Sequence, residues 1–145
     1  MSETNTQIEY GRAETICEGE KIALVSVGAM TDTAVSVSEN LCEKGYAPGL
    51  YNARFIKPLD MRLVTRLLSY DYVFTLEDGA RAGGYGARLL EALVSTRKFK
   101  GHFHNFAFPD TFVEHGTRAE LLKRYKLDAD NIVSLICSEL NTVPR

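Results

Sequence analysis

A glycine-rich loop is the first place in the chain where chemistry could occur. In residues 79–86, Gly83 and Gly84 lie between a predicted strand and a predicted helix, and Arg81 is close by. Free backbone N–H groups in such a loop can bind an anion. Neither the dinucleotide pattern G-x-G-x-x-G nor the phosphate-loop pattern G-x-x-x-x-G-K-[ST] is present. We therefore favour the alternative that these glycines permit positive φ angles and close helix–sheet packing.

Two carboxylates, Glu77 and Asp78, lie at the end of the strand that precedes this loop. Open α/β sheets usually bind ligands at the carboxyl ends of their strands, and paired carboxylates can transfer protons. However, no partner that would exclude water can be identified from the sequence. We favour a structural role instead, either as a helix N-cap or in an ion pair with Arg54 or Arg81.

Two basic residues, Arg54 and Lys57, lie in residues 52–60, where a predicted strand gives way to a helix. Pro58 favours an extended backbone at the residue before it, and Asp60 is expected to cap the following helix. This basic pair lies at the edge where a ligand could bind. We expect the two side chains to connect loops or domains rather than to bind a substrate.

Three histidines complete the candidates for chemistry. His102 and His104 share one face of a predicted strand, but no third ligand is close in sequence, so no metal site is predicted. His115 lies in a loop before a helix, where it could fix that loop or contact another domain. No catalytic, cofactor-binding or metal-binding set is predicted. The candidates retained for an interface or an anion site are Arg54, Lys57, Glu77, Arg81, Gly83, Gly84 and His115.

The composition is ordinary for a soluble globular protein of 145 residues with a net charge of −2. This charge argues against nucleic acid as a main partner, and no apolar run approaches the ~20 residues that span a bilayer. The polar residues 1–7 are predicted to be a disordered tail or linker, and residues 8–145 to form one domain. Three cysteines far apart in the chain predict a reduced, cytoplasmic protein. They are Cys17, Cys42 and Cys137.

Strand-like and helix-like segments alternate along the chain. The nearly continuous apolar run at 21–28 is typical of a strand buried on both faces. Further strands are predicted at 47–55, 72–77 and 102–108, with a weaker edge strand at 13–17. Helices are predicted after the glycine loop and after four capping residues. The predicted caps are Thr31, Asp60, Thr117 and Asp128. This alternation predicts a three-layer α/β/α fold, but it does not determine the strand order.

Four motifs occur in a recognisable order and spacing. They are Gly-Ala-Met at 28–30, Asn-Ala-Arg-Phe-Ile-Lys-Pro-Leu-Asp at 52–60, Glu-Asp at 77–78 with Gly-Gly-Tyr-Gly at 83–86, and Phe-Pro-Asp-Thr-Phe-Val-Glu-His-Gly at 108–116. Together they resemble the C-terminal domain of the 1-deoxy-D-xylulose-5-phosphate synthases, a branch of the transketolase family. The resemblance implies a mixed five-stranded sheet whose N-terminal edge strand is antiparallel to the rest.

The same resemblance implies a function for the whole enzyme. Enzymes of this branch are homodimers that use thiamine diphosphate and Mg²⁺ to condense pyruvate with glyceraldehyde 3-phosphate. The two preceding domains hold the cofactor and the substrates, and this chain contains neither. The resemblance therefore implies a structural and dimerisation domain that binds no cofactor itself. Its partners would be the preceding domains and a second subunit, and the fragment alone would be inactive.

Two alternatives remain open. The chain could be a regulatory or anion-binding module, with an anion held at Gly83 and Gly84 near Glu77 and Arg81. It could also be the matching domain of transketolase proper or of a 2-oxo acid dehydrogenase β subunit. The amino-acid sequences of the motifs at 52–60 and 108–116 favour the synthase branch.

Overall fold

A computed structural model describes residues 8–80, 83–109 and 116–142 of the chain. The predicted tail at 1–7, together with Arg81 and His115, lies outside the described residues. The strands are β1 (Glu14–Cys17), β2 (Ile22–Ser26), β3 (Gly49–Asn52), β4 (Tyr72–Ala80) and β5 (His102–Phe108). The helices are α1 (Thr31–Glu43), α2 (Met61–Leu67), α3 (Tyr85–Ser95), α4 (Arg118–Arg124) and α5 (Ala129–Thr142), and a 3₁₀ turn (Gly28–Met30) precedes α1.

The five strands form one mixed sheet in the order β1-β3-β2-β4-β5. β1 pairs antiparallel with β3, and the other neighbouring strands pair in parallel. The implied sheet, with its antiparallel N-terminal edge strand, is confirmed. β2 lies at the centre and all of its residues are buried, as its continuous apolar run predicts.

Helices cover both faces of the sheet, which confirms the three-layer prediction. Successive side chains of a strand point to opposite faces, so Leu24 and Val25 of β2 belong to different cores. The core with Leu24 includes residues of α1 and α5, such as Leu41 and Ile136. The core with Val25 includes residues of α2 and α3.

Two of the predicted helix caps are confirmed by hydrogen bonds. The Asp60 carboxylate accepts the backbone N–H of Arg62 at 2.9 Å, and the Thr117 hydroxyl accepts the backbone N–H of Glu120 at 3.2 Å. The predicted cap at Thr31 is wrong. The 3₁₀ turn leads directly into α1, so Thr31 is already helical and its hydroxyl donates to the carbonyl of Gly28.

Two strand ends differ from the prediction. β3 ends at Asn52 rather than near residue 55, because Arg54 adopts a left-handed φ of 58° that turns the chain away. β4 continues to Ala80 rather than ending at residue 77. A shift of register lets its end pair with Phe108 of β5. Among the described residues, no helix is long and apolar enough to cross a membrane.

Candidate functional site

Glu77 occupies the N-terminus of α3. Its side chain is 3% exposed, and its carboxylate accepts the backbone N–H of Gly86 at 2.5 Å. The backbone N–H of Tyr85 is a second hydrogen-bond donor to the same carboxylate. Gly84 is at the cap position of α3 and has no side chain that could accept a hydrogen bond from the first N–H groups of the helix. Glu77 of β4 accepts these hydrogen bonds instead. Of the two structural roles expected for Glu77, the structure shows the capping role, which Glu77 fulfils from β4 and not from the cap position itself.

The carboxylate of Glu77 is buried, and its pKa reflects that burial. Burial raises the pKa of Glu77 above its ordinary value of 4.5, and the N–H groups of Gly86 and Tyr85 oppose that shift. Burial also raises the pKa of the Tyr85 phenol, with a further contribution from the charges of Asp60 and Glu77. An external anion at these N–H groups would have to displace Glu77.

Asp78 forms an ion pair with Arg118 at the start of α4. Arg118 also contacts the sulfur of Met30 at 3.6 Å. The pair therefore joins β4 to α4 and to the turn before α1, across 40 residues of sequence. Both partners are partly exposed to solvent, so this pair contributes little free energy and serves to fix the loops.

The alternative in which Arg54 pairs with Glu77 or Asp78 is wrong, and the Arg81 alternative lies outside the described residues. Arg54 instead contacts the Glu14 carboxylate of β1 at 3.2 Å. β2 lies between β3 and β4, so the end of β3 is two strand spacings, roughly 10 Å, from the end of β4. The sheet order therefore directs Arg54 to the antiparallel edge strand and away from Glu77 and Asp78.

The glycines of the loop have separate structural roles. Gly83 has a φ of 70°, the left-handed region that favours glycine, whereas Gly84 is extended. Gly86 faces the Asn105 side chain so closely that a Cβ atom there would overlap it. Asn105 is held in turn by the hydroxyl of Thr75 at 2.8 Å. The favoured interpretation, positive φ and close packing, is confirmed for Gly83 and Gly86.

Residues 52–60 bring Lys57 to a shallow surface groove. The groove has a volume of about 410 Å³, and it lies between this segment and α3. Its lining is Ile56, Lys57, Pro58, Leu59, Arg88 and Glu91. At the end of the segment, the second oxygen of Asp60 accepts the backbone N–H of Ala13 at 2.8 Å. Asp60 therefore also ties the chain before β1 to the start of α2.

His102 and His104 lie on β5, where aromatic rings surround them. His102 stacks on Tyr72 with ring centroids 5.3 Å apart, and His104 contacts Phe106 at 4.5 Å. His104 Nδ1 also lies 3.2 Å from a carboxylate oxygen of Glu139. Across residues 8–80, 83–109 and 116–142, no three His, Cys, Asp or Glu side chains group as metal ligands would.

Sequence reasoning missed two residues that organise this edge of the sheet. Arg118 follows Thr117 in the capping motif, and the motif alone gave no reason to pair it with Asp78. Asn105 lies inside a strand, where a polar side chain among aromatic residues was the available signal. The hydrogen-bond partner of Asn105, Thr75, is 30 residues away, and that of Arg118, Asp78, is 40 residues away.

The fold and the site together define a class of protein: a three-layer α/β domain whose polar edge is engaged in contacts within the domain. Residues 11–132 match the family model described as "Transketolase, C-terminal domain", and the chain belongs to that family. The resemblance to the synthase branch is confirmed by curated relatives. The chain is 42% identical over 137 residues to the 1-deoxy-D-xylulose-5-phosphate synthase of Rhodopirellula baltica, which covers 94% of this chain and 21% of the relative.

A second synthase, from Lachnoclostridium phytofermentans, is 37% identical over 141 residues, or 96% of this chain and 22% of the relative. The chain thus spans about a fifth of the length of these relatives. Among solved structures, a split-gene transketolase described as an inactive β4 tetramer matches with a TM-score of 0.80 and 27% identity, over 92% of this chain and 44% of that chain. Transketolase from Campylobacter jejuni has the same fold, with a TM-score of 0.62 and 18% identity, over 88% of this chain and 18% of that chain.

Proposed function

We propose that this chain acts as the C-terminal domain of a 1-deoxy-D-xylulose-5-phosphate synthase. It contributes architecture and subunit contacts, and the preceding domains hold thiamine diphosphate and Mg²⁺ and condense pyruvate with glyceraldehyde 3-phosphate. The single observation that carries this proposal is the 42% identity over 94% of the chain to a curated synthase of which the chain spans only 21%.

The geometry of the described residues supports a structural role. Glu77 is committed to the N-terminus of α3, Asp78 to Arg118, and Arg54 to Glu14. A catalytic acid or base needs access to a substrate, and these groups are already engaged by the domain's own polar groups. The domain therefore acts by its shape and its surfaces, and the fragment alone is inactive.

The neighbouring solved structure supports a role in assembly. That split-gene transketolase, whose chain includes a domain of this fold, is described as both tetrameric and inactive. Following the resemblance to the synthase branch, we expect the whole synthase to be a homodimer to which this domain contributes contacts. The three free thiols of the described residues fit a reducing, cytoplasmic compartment.

A full-length chimaera tests the proposal. In it, the matched fifth of the R. baltica synthase is replaced by this chain, and CO₂ release from pyruvate in the presence of glyceraldehyde 3-phosphate is measured. We expect activity within about tenfold of the parent, because each 1.4 kcal/mol of imperfect contact corresponds to a tenfold change. The parent synthase without its matched fifth is the control. A folded chimaera no more active than this truncated control would refute the proposal.

Calorimetry of the isolated chain tests the cofactor assignment separately. Titration with thiamine diphosphate and Mg²⁺ should give only heats of dilution, because the domain has no cofactor site of its own. A parallel thermal-shift measurement with inorganic phosphate should leave the melting temperature unchanged, because Glu77 already occupies the helix N-terminus. Saturable binding of either ligand would favour the anion-binding alternative at Gly83 and Gly84.

A further inference from the structure

Exposed apolar side chains are concentrated on one side of the sheet. Among the described residues, the large ones are Ile8, Tyr10, Ile16, Ile56, Met61, Leu90 and Val94. None of these belongs to α1, α4 or α5, which cover the other face. Apart from Ile16 on the edge strand, all lie on α2, on α3, or in the segments that pack beside them.

One of these side chains, Ile56, borders a groove. Ile56 lines the groove between residues 52–60 and α3 together with Arg88 and Glu91. On α3, Val94 lies three residues after Glu91 and four after Leu90, so these side chains are neighbours on the helix surface. We call the outer surface of the layer made by α2, α3 and the segments beside them the α2/α3 face. The side chains exposed on it include Tyr10, Ile56, Met61, Leu90 and Val94.

The apolar side chains of the α2/α3 face are largely exposed to solvent. Tyr10 is 76% exposed, Val94 60%, Met61 57% and Ile56 51%. Large apolar side chains left exposed on one side of a domain make that side a candidate interaction surface. Here the polar border contains Lys57, Arg88 and Glu91, which gives a local charge of about +1 from two cations and one anion.

The chain enters the domain along this face. The Tyr10 ring packs edge-on against Phe55 with centroids 5.4 Å apart, and the N–H of Ala13 is held by Asp60. In a synthase, the polypeptide that arrives from the preceding domain would therefore reach this domain beside Ile56. A tether of this kind gives the preceding domain a high effective concentration at the α2/α3 face.

We propose that the α2/α3 face is the surface on which the preceding domain of the same synthase chain docks. This inference rests on the proposed function. About four fifths of each relative's length lies outside the matched segment, so a large partner is available in the same polypeptide. The cationic border favours a partner surface that carries carboxylates opposite Lys57 and Arg88. The tether favours the preceding domain over a second copy, because a second copy would have to bind from solution without that effective concentration.

Hydrogen exchange locates the docked surface directly. Amide exchange is compared between the isolated chain and the chimaera, in which the preceding domains are present. We expect residues 54–61 and α3 to exchange at least about tenfold more slowly in the chimaera, while α1 and α5 exchange at equal rates in both. Protection that falls on α1 and α5 instead would overturn the inference. The inference would also be overturned if sedimentation showed that the isolated chain dimerises and this dimer had the same protection as the chimaera.

A pair of matched variants tests the contribution of single side chains. Ile56→Ser in the chimaera should remove most of the added protection, whereas Ile16→Ser, 41% exposed on β1, should leave it unchanged. Both variants should melt within about 2 °C of the parent as isolated chains, because surface substitutions have small effects. An active chimaera in which Ile56→Ser keeps full protection refutes the docking surface and leaves the proposed function standing. An inactive but folded chimaera refutes the proposed function instead.

Discussion

The carboxylate of Glu77 offers the sharpest test of how this domain is held together. Glu77→Ala removes a buried acceptor from the backbone N–H groups of Tyr85 and Gly86 at the start of α3. The alanine side chain cannot accept a hydrogen bond, and the site is too enclosed for solvent to replace the lost oxygen fully. The variant therefore leaves two N–H groups unsatisfied where β4 meets α3.

The size of the effect follows from these lost bonds. A buried N–H group without a partner costs about 1–3 kcal/mol. Some of this cost is recovered, because Glu77→Ala also removes a carboxylate whose burial raises its pKa. We expect the free energy of unfolding to fall by about 2–3 kcal/mol. For a domain of this size, such a loss lowers the melting temperature by roughly 4–12 °C.

Urea unfolding at pH 7, followed by far-ultraviolet circular dichroism, measures this loss. Glu91→Ala is the matched control, since Glu91 is an exposed residue of α3 and its replacement should change the free energy of unfolding by less than about 0.5 kcal/mol. If Glu77→Ala and the control are equally stable, Glu77 does not stabilise the helix N-terminus and the reasoning is refuted.

The pH dependence of Glu77→Gln tests the electrostatic part separately. Because the folded-state pKa of Glu77 is raised above 4.5, the folded wild type binds more protons than the unfolded chain just above that pH. Ionisation of Glu77 therefore lowers the stability of the wild type as the pH rises from 4.5 to the folded-state pKa. The glutamine variant cannot ionise, so its stability relative to the wild type should improve over that interval and then stay constant. A relative stability that declines over the same interval would contradict the raised pKa.

Two further predictions concern contacts that join distant parts of the chain. Asp60→Ala should lower the free energy of unfolding by about 1–2 kcal/mol and speed proteolysis near Ala13. The reason is that one carboxylate both caps α2 and anchors the segment before β1. Urea unfolding that matches the wild type would exclude this double role. Gly86→Ala should cost about 1–3 kcal/mol through overlap with Asn105, and the double variant with Asn105→Ala should recover most of it. Thermal unfolding of the single and double variants measures that coupling, and additive losses would show that the two side chains do not compete for space.

Much of the fold could be predicted from local pattern. The apolar run of β2 predicted burial on both faces, because only a central strand covered by helices on each side suits such a sequence. Asp60 and Thr117 predicted helix starts correctly, since a cap bonds to N–H groups only two or three residues away. The strand order and the antiparallel edge came from the resemblance, because pattern alone contains no information on which strands are neighbours.

The candidate site was less predictable, because its partners are distant in sequence. Glu77 bonds across nine residues to α3, and Asp78 pairs across 40 residues with Arg118. The alternative that paired Arg54 with these carboxylates was wrong because β2 separates β3 from β4. The left-handed turn at Arg54 itself gave no local signal, since glycine or asparagine usually marks such a conformation.

The sequence by itself determined the alternation of strands and helices, the capped helix starts and the family motifs. These depend on side-chain spacing and on hydrogen bonds between near neighbours. The tertiary structure alone decided that Glu77 takes the capping role and not the ion pair, and that the large exposed apolar side chains lie around α2 and α3. Both depend on which strands and helices become neighbours in the packed sheet, and that arrangement is set by contacts across the whole domain.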